Sequence, residues 1–209
     1  IKGIGETLYM TLVSTLFGYL FGLPMGILLT ITDREGIKPN VVLYKILDIF
    51  ANIVRSVPFL ILLIVLIPLA RFIVGKSYGS SATIVSLAAA AIPYIARMVE
   101  SSLREVDAGV IEAARSMGAS TYTIVTKVML VEARTSLIVG VTISLGTILG
   151  YSAMAGTLGG GGLGDIAIRY GYYRYEAGIM AVTVILLIVL VQIFQTVGMK
   201  LSVHLDKRK

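Results

Sequence analysis

The chain has 209 residues, of which 56% are hydrophobic and only 14% charged, and its mean hydropathy is +0.90. A soluble domain carries about a quarter charged residues, so this composition excludes a water-facing globule and points to a bilayer. Zero cysteines and a lone histidine, His204, exclude disulfides, Cys-bearing zinc sites, Fe–S clusters and thiol catalysis, while the formal charge of +6 belongs to the ends of apolar segments and implies no nucleic-acid partner.

Charge-free stretches mark the expected membrane spans, each needing about 20 apolar residues. The first runs over 7–32, 26 residues without Asp, Glu, Lys or Arg. The next charge-free run, Ser56 to Ala70, has only 15 residues, too short to cross alone. It is therefore extended to 46–74, with Arg55 near one interface, where its stem can snorkel. The third span is expected over 77–97. The fourth covers 135–157, with the glycine-rich stretch after it read as a loop. The fifth covers 177–200 and holds the most lipid-like run, Val182 to Val191. The charge-free stretches offer no ionisable group, and the second span adds only Arg55, at its edge, so a proton-driven pump has almost nothing to titrate. The energy for uphill transport has to come from another chain.

Basic residues set the orientation. With the C-terminus inside, the inner segments carry 12 Lys and Arg, including Lys207, Arg208 and Lys209 at the end, against five outside. The expected topology is N-terminus outside, C-terminus inside. The first apolar stretch is too long for a signal-peptide core and lacks a small-residue cleavage site after it, so no cleaved secretion signal is expected. The chain begins at Ile1 rather than Met, which leaves room for a short leader.

Gly18, Gly22 and Gly26 in the first span form a doubled GxxxG face suited to close helix packing. Packing within the chain is the simpler reading and a second copy the alternative. Pro24, Pro58, Pro68 and Pro93 lie in hydrophobic stretches, where each frees a carbonyl that neighbours must satisfy.

The segment 98–134 between spans three and four is the longest polar-bearing part. Within it, Asp107 to Gly118 reads as a short helix, with Asp107 as N-cap and Gly118 where a left-handed residue closes the end. At 100° per residue, Val110, Ile111, Ala113, Ala114 and Met117 share one face, and Glu112, Arg115 and Ser116 the other. A helix this short is unstable alone in water. Its apolar face needs a cover: lipid, the chain's own helix ends, or a separate subunit.

Glu112-Ala113-Ala114, three residues, Gly118, nine residues, then Val128-Met129-Leu130 resembles the EAA loop of ABC importer permeases. The chain departs from that pattern at Val128, in place of Ile, and at Val131, in place of Pro. The resemblance implies the type I importer permease fold, an all-α integral membrane protein with five transmembrane helices as a single permease domain, 1–209. It also implies a bacterial plasma-membrane location and a loop helix that seats on a separate ATP-hydrolysing subunit. Val110, Ile111, Glu112, Ala113, Ala114, Met117 and Gly118 are the coupling residues so implied. No phosphate-binding Gly-x4-Gly-Lys-Ser/Thr occurs in the chain, so the chain binds no cofactor of its own, and ATP with its Mg²⁺ is expected on the partner. Gly159 to Gly164 satisfies a dinucleotide glycine pattern, but it follows a membrane span rather than a strand, so it is read as a loop.

Arg55-Ser56-Val57-Pro58-Phe59, Ile95 to Glu100, Gly150 to Met154, and Gly160 to Gly164 are similar to the methionine-import permeases of this family. The Gly-Gly-Leu-Gly element is shared with glycine-betaine and choline permeases, which stand as the alternative. That resemblance implies a homodimer with two ATP-binding subunits and an extracytoplasmic substrate-binding lipoprotein, not an enzyme in its own right. It also implies a translocation gate at the outer end of span four, formed by Tyr151, Ser152 and Met154. Tyr170, Tyr172, Tyr173 and Tyr175 are read as an interfacial aromatic belt.

Overall fold

The computed structural model describes residues 1–205, so Lys207, Arg208 and Lys209 lie outside the described residues. Helices α1 (Lys2–Thr32), α5 (Ser80–Arg104), α9 (Arg134–Ala155) and α11 (Ala177–Leu205) form the bundle. All four are long and apolar enough to cross a membrane. Their surfaces invert the soluble pattern. Leu12, Leu16, Leu20 and Phe21 of α1 and Val182, Ile185, Ile188 and Ile193 of α11 point outward, while Thr7, Thr11, Ser14, Thr83, Ser86, Ser144 and Ser152 are buried. Small polar groups inside and large apolar groups outside is what a helix bundle solvated by hydrocarbon requires.

The main seam joins α1 to α5. A side chain at Gly22 would sit 2.8 Å from the Ile92 carbonyl, and one at Gly26 would sit 2.6 Å from that of Ala96. The doubled GxxxG face therefore packs within the chain, on Ala91, Ile95 and Val99. Helix α9 crosses this pair and is pinned by two hydroxyl contacts, Tyr19 to Ser144 at 3.4 Å and Tyr94 to Thr147 at 3.3 Å.

The second expected span differs most from expectation. Instead of one continuous helix over 46–74, the chain forms α2 (Val41–Ser56), α3 (Phe59–Val65) and α4 (Ile67–Val74), and α3 leaves α2 at 106°. The break falls at Val57-Pro58. Proline has no N–H for the helix ladder and its ring disfavours a helical residue before it, and Val57 is accordingly extended, with ψ of 126°. A fifth crossing exists only if the bent pair counts as one.

Other boundaries also shift. α1 starts at Lys2 and α5 runs on to Arg104, so Arg97, Glu100 and Arg104, expected at the edge of the third span and in the loop after it, belong to the bundle. The loop proper holds α6 (Ala108–Ser116), α7 (Thr121–Thr123), a π-helical stretch Ile124–Met129 and α8 (Leu130–Glu132). At the opposite end the glycine run turns back through Gly159, Gly161 and Gly162, all at positive φ, into α10 (Gly162–Ile166). The Gly162 N–H donates to the Glu6 carboxylate at 2.8 Å and that of Leu163 to the Thr7 hydroxyl at 2.9 Å. Both of these donors are taken up by α1, so this part of the run ties the loop back to the bundle.

Candidate functional site

The sequence-derived site residues fall at opposite ends of the bundle. At one end, α6 forms for the expected reasons. The Asp107 carboxylate accepts from the N–H groups of Gly109 at 2.8 Å and Val110 at 3.3 Å, satisfying two amides that the helix start leaves unpaired. Gly118 has φ of +78°, and Ala119 donates back to the Ala114 carbonyl at 3.1 Å, the wide closing bond of a left-handed helix end.

The apolar face of α6 is divided. Ala114 is buried and Ile111 half-buried, packed into the cluster that holds Leu103, Val106, Ile124, Val125 and Met129. Val110, Ala113 and Met117 face outward, Met117 at 82% exposure. Glu112 and Gly118 are exposed beside them. Of the seven residues expected to couple, Ala114 and Ile111 fasten the helix to its own chain, and the other five are exposed on its surface. Behind α6, an open cleft of about 350 Å³ separates it from the connection after α1 and is lined by Asp33, Glu35, Arg104, Glu112 and Arg115.

A charged cluster at this end went unpredicted. Arg97 pairs with Asp48 of α2 and, at 2.7 Å, with Glu100. Arg104 reaches Glu100 and Asp33, each at 2.8 Å, and the Asn52 side chain accepts from Arg97 at 3.0 Å. Glu100 is buried at the centre, its carboxylate shared by two guanidinium groups. The spacing 97, 100, 104 puts all three on one helix face. That signal is present in the sequence, but the expected end of the third span at 97 divides it between span and loop.

At the other end, the Tyr151 ring stacks on Phe59 of α3, with centroids 4.3 Å apart and planes 3° from parallel. Met154, one turn on, is 47% exposed. Ser152 is buried and donates to the Leu149 carbonyl at 2.7 Å, so it faces the bundle interior and away from Met154. Val139, Ile143, Gly146, Gly150 and Met154 continue the outward side of α9, and a side chain at Gly146 or Gly150 would meet nothing within 4 Å. Phe59, the partner of Tyr151, was not among the residues singled out for the gate.

A bundle turned inside out, a capped helix standing proud at one end and an open stripe on a central helix describe a membrane permease subunit that works with other chains. The chain belongs to the family described as binding-protein-dependent transport system inner membrane component, whose model matches residues 22–208. It shares the all-helical type I ABC permease fold.

Among curated relatives, it is 50% identical over 203 residues to the probable D-methionine transport system permease protein MetI of Vibrio cholerae, covering 97% of this chain and 90% of that one. It is 50% identical over 156 residues to the D-methionine transport system permease protein MetI of Escherichia coli, covering 75% of this chain and 72% of that one. A solved structure of the MetNI methionine ABC transporter in inward-facing conformations aligns with a TM-score of 0.97 at 47% identity, covering 98% of this chain and 95% of that one. An amino-acid ABC transporter solved with histidines aligns at a TM-score of 0.73 and 21% identity, a likeness of fold alone.

Proposed function

We propose that this chain is the membrane-spanning subunit of an ATP-driven, binding-protein-dependent methionine importer. In this reading it forms the translocation pathway as a homodimer and carries out no chemistry itself. The single observation that carries the coupling role is the outward apolar stripe Val110, Ala113 and Met117 on a helix that its own chain holds by the other edge. Such a stripe stays out of water only against a partner. That partner is the ATP-binding subunit, one per permease copy, which holds ATP and Mg²⁺. Glu112 and Gly118, exposed at the rim of the stripe, complete the docking surface.

The N-terminus lies outside and the C-terminus in the cytoplasm, so α6 faces the cytoplasm and Tyr151 and Met154 face the side where the substrate-binding lipoprotein delivers the amino acid. Closure of the two ATPase subunits draws the docked α6 helices together and biases the bundle from inward-open to outward-open. Hydrolysis releases that bias, and direction follows from the partners' differential affinity for the two states. The relatives named for methionine transport support the choice of substrate over betaine or choline.

Met117→Asp and Ala113→Asp test the docking surface. Each places a charge on the free stripe without touching the buried edge. Copurification of the ATPase is expected to fall about tenfold or more for each, since a charge desolvated without a partner costs several kcal/mol, with the permease itself folded and membrane-inserted. A complex as stable as wild type in both variants would place the coupling surface elsewhere.

A further inference from the structure

Helix α2 has two outward faces of opposite chemistry. Counting 100° per residue from Val41, the outward residues Val42, Ile46, Ile49, Phe50 and Ile53 fall between about 80° and 180°. Lys45, Asp48, Asn52, Arg55 and Ser56 fall within about 60° either side of Val41. The first face is fit for lipid. The second is not, because charged groups at membrane depth face water or a partner.

Part of the polar face is satisfied. Asp48 and Asn52 engage Arg97 of α5, and Arg97 in turn is neutralised by Asp48 and Glu100. Arg55 is different. It is exposed, and among the described residues no carboxylate lies within 4.0 Å of it and its guanidinium makes no hydrogen bond. It lies seven residues beyond Asp48, about 10 Å further from the α6 end of the bundle. It occupies the last turn of α2, just before the 106° bend. Four residues later Phe59 stacks on Tyr151, so the backbone of Arg55 is within about 14 Å of the residue that touches the gate helix. A guanidinium unpaired among the described residues thus stands on a polar wall, between the ion-paired cluster at one end and the aromatic pair at the other.

We propose that Arg55 is a substrate-contacting residue, its guanidinium receiving the α-carboxylate of the amino acid in transit. The polar face from Arg55 through Asn52 to Lys45 is the wall along which the amino acid leaves toward the cytoplasm. This rests on the importer reading for its substrate class and adds the group that recognises it. Charge complementarity selects the occupant: an unpaired cation meets the carboxylate, the anionic end of an amino acid, whereas Arg97 is already paired with Asp48 and Glu100. The amino acid's apolar side chain is left to the Phe59–Tyr151 side.

The test uses the whole complex, permease with ATPase, reconstituted in vesicles with the binding protein, comparing wild type with Arg55→Gln and Arg55→Lys. Arg55→Gln is expected to lower ATP-dependent uptake of radiolabelled methionine about tenfold, the worth of one charge-assisted pair. ATPase copurification and basal hydrolysis should stay unchanged. Arg55→Lys, which keeps the charge and the favourable interaction with the helix end, should recover most of the uptake.

Wild-type uptake by Arg55→Gln with hydrolysis unchanged overturns the Arg55 assignment and leaves the importer reading standing. Loss of assembly in Arg55→Gln also overturns it, by making Arg55 an interface or folding residue. Equal loss of uptake in both variants removes carboxylate charge-pairing as the cause and overturns it too. Absence of methionine uptake by the wild-type complex defeats the importer reading itself, and the Arg55 proposal with it.

Discussion

Glu100 shows how much one residue can organise. Its side chain is 6% exposed and receives two guanidinium groups, which tie α5 to α2 through Arg97 and to the end of α1 through Arg104. Removing one member of a buried ion pair leaves the others uncompensated, worth about 3–5 kcal/mol when all are buried. Here Arg104 is about half exposed and water screens part of the loss. Glu100→Ala is therefore expected to destabilise the bundle by about 2–4 kcal/mol, read as a lowered unfolding midpoint in detergent. Asp33→Asn, at the solvated end of the cluster, should change it by under about 1 kcal/mol. Equal midpoints for the Glu100 variant and wild type would show that the cluster carries no net stability.

At the scale of an element, α6 is a short helix with a long task. Nine residues cannot hold a helix in water by themselves, so the buried edge at Ile111 and Ala114 has to keep it formed before any partner arrives. The two edges therefore separate by experiment. Ala114→Glu buries a carboxylate against Ile124 and Val125 and is expected to unseat the helix in the isolated permease. Faster proteolytic cleavage between Arg104 and Lys127 would report this without any ATPase present. Met117→Asp should leave that cleavage rate at the wild-type value. If both variants were cleaved alike, the division of the face into a holding edge and a docking edge would be wrong.

For the molecule as a whole, the open side of α9 and the bend after α2 meet at the end of the bundle opposite α6. Met154 stands there with a long, adaptable thioether, next to a stacked pair that fixes the wall behind it. As a gate closing against its counterpart in a second copy, Met154 should matter through size and polarity. Met154→Ala should leak, with uptake less dependent on the binding protein. Met154→Glu should lower uptake about tenfold or more through like-charge contact at the dimer axis. Uptake unchanged by both substitutions would make Met154 a packing residue.

Composition and periodicity by themselves determined the membrane setting, four of the helices, both ends of α6 and the glycine seam. These depend on local rules: hydrocarbon length, a side chain capping its own helix, a left-handed glycine, a small residue every fourth position. The break of the second span was hinted at by Pro58, yet its angle was not legible, since a proline frees the chain to bend without saying how far. Only the tertiary structure decided which half of the α6 face is free, that Ser152 turns inward while Met154 turns out, and that Arg97 and Glu100 belong to a cluster closed by Asp33 and Asp48. Each of these is settled by neighbours distant in the chain, because burial and ion pairing depend on which other helix comes to lie alongside.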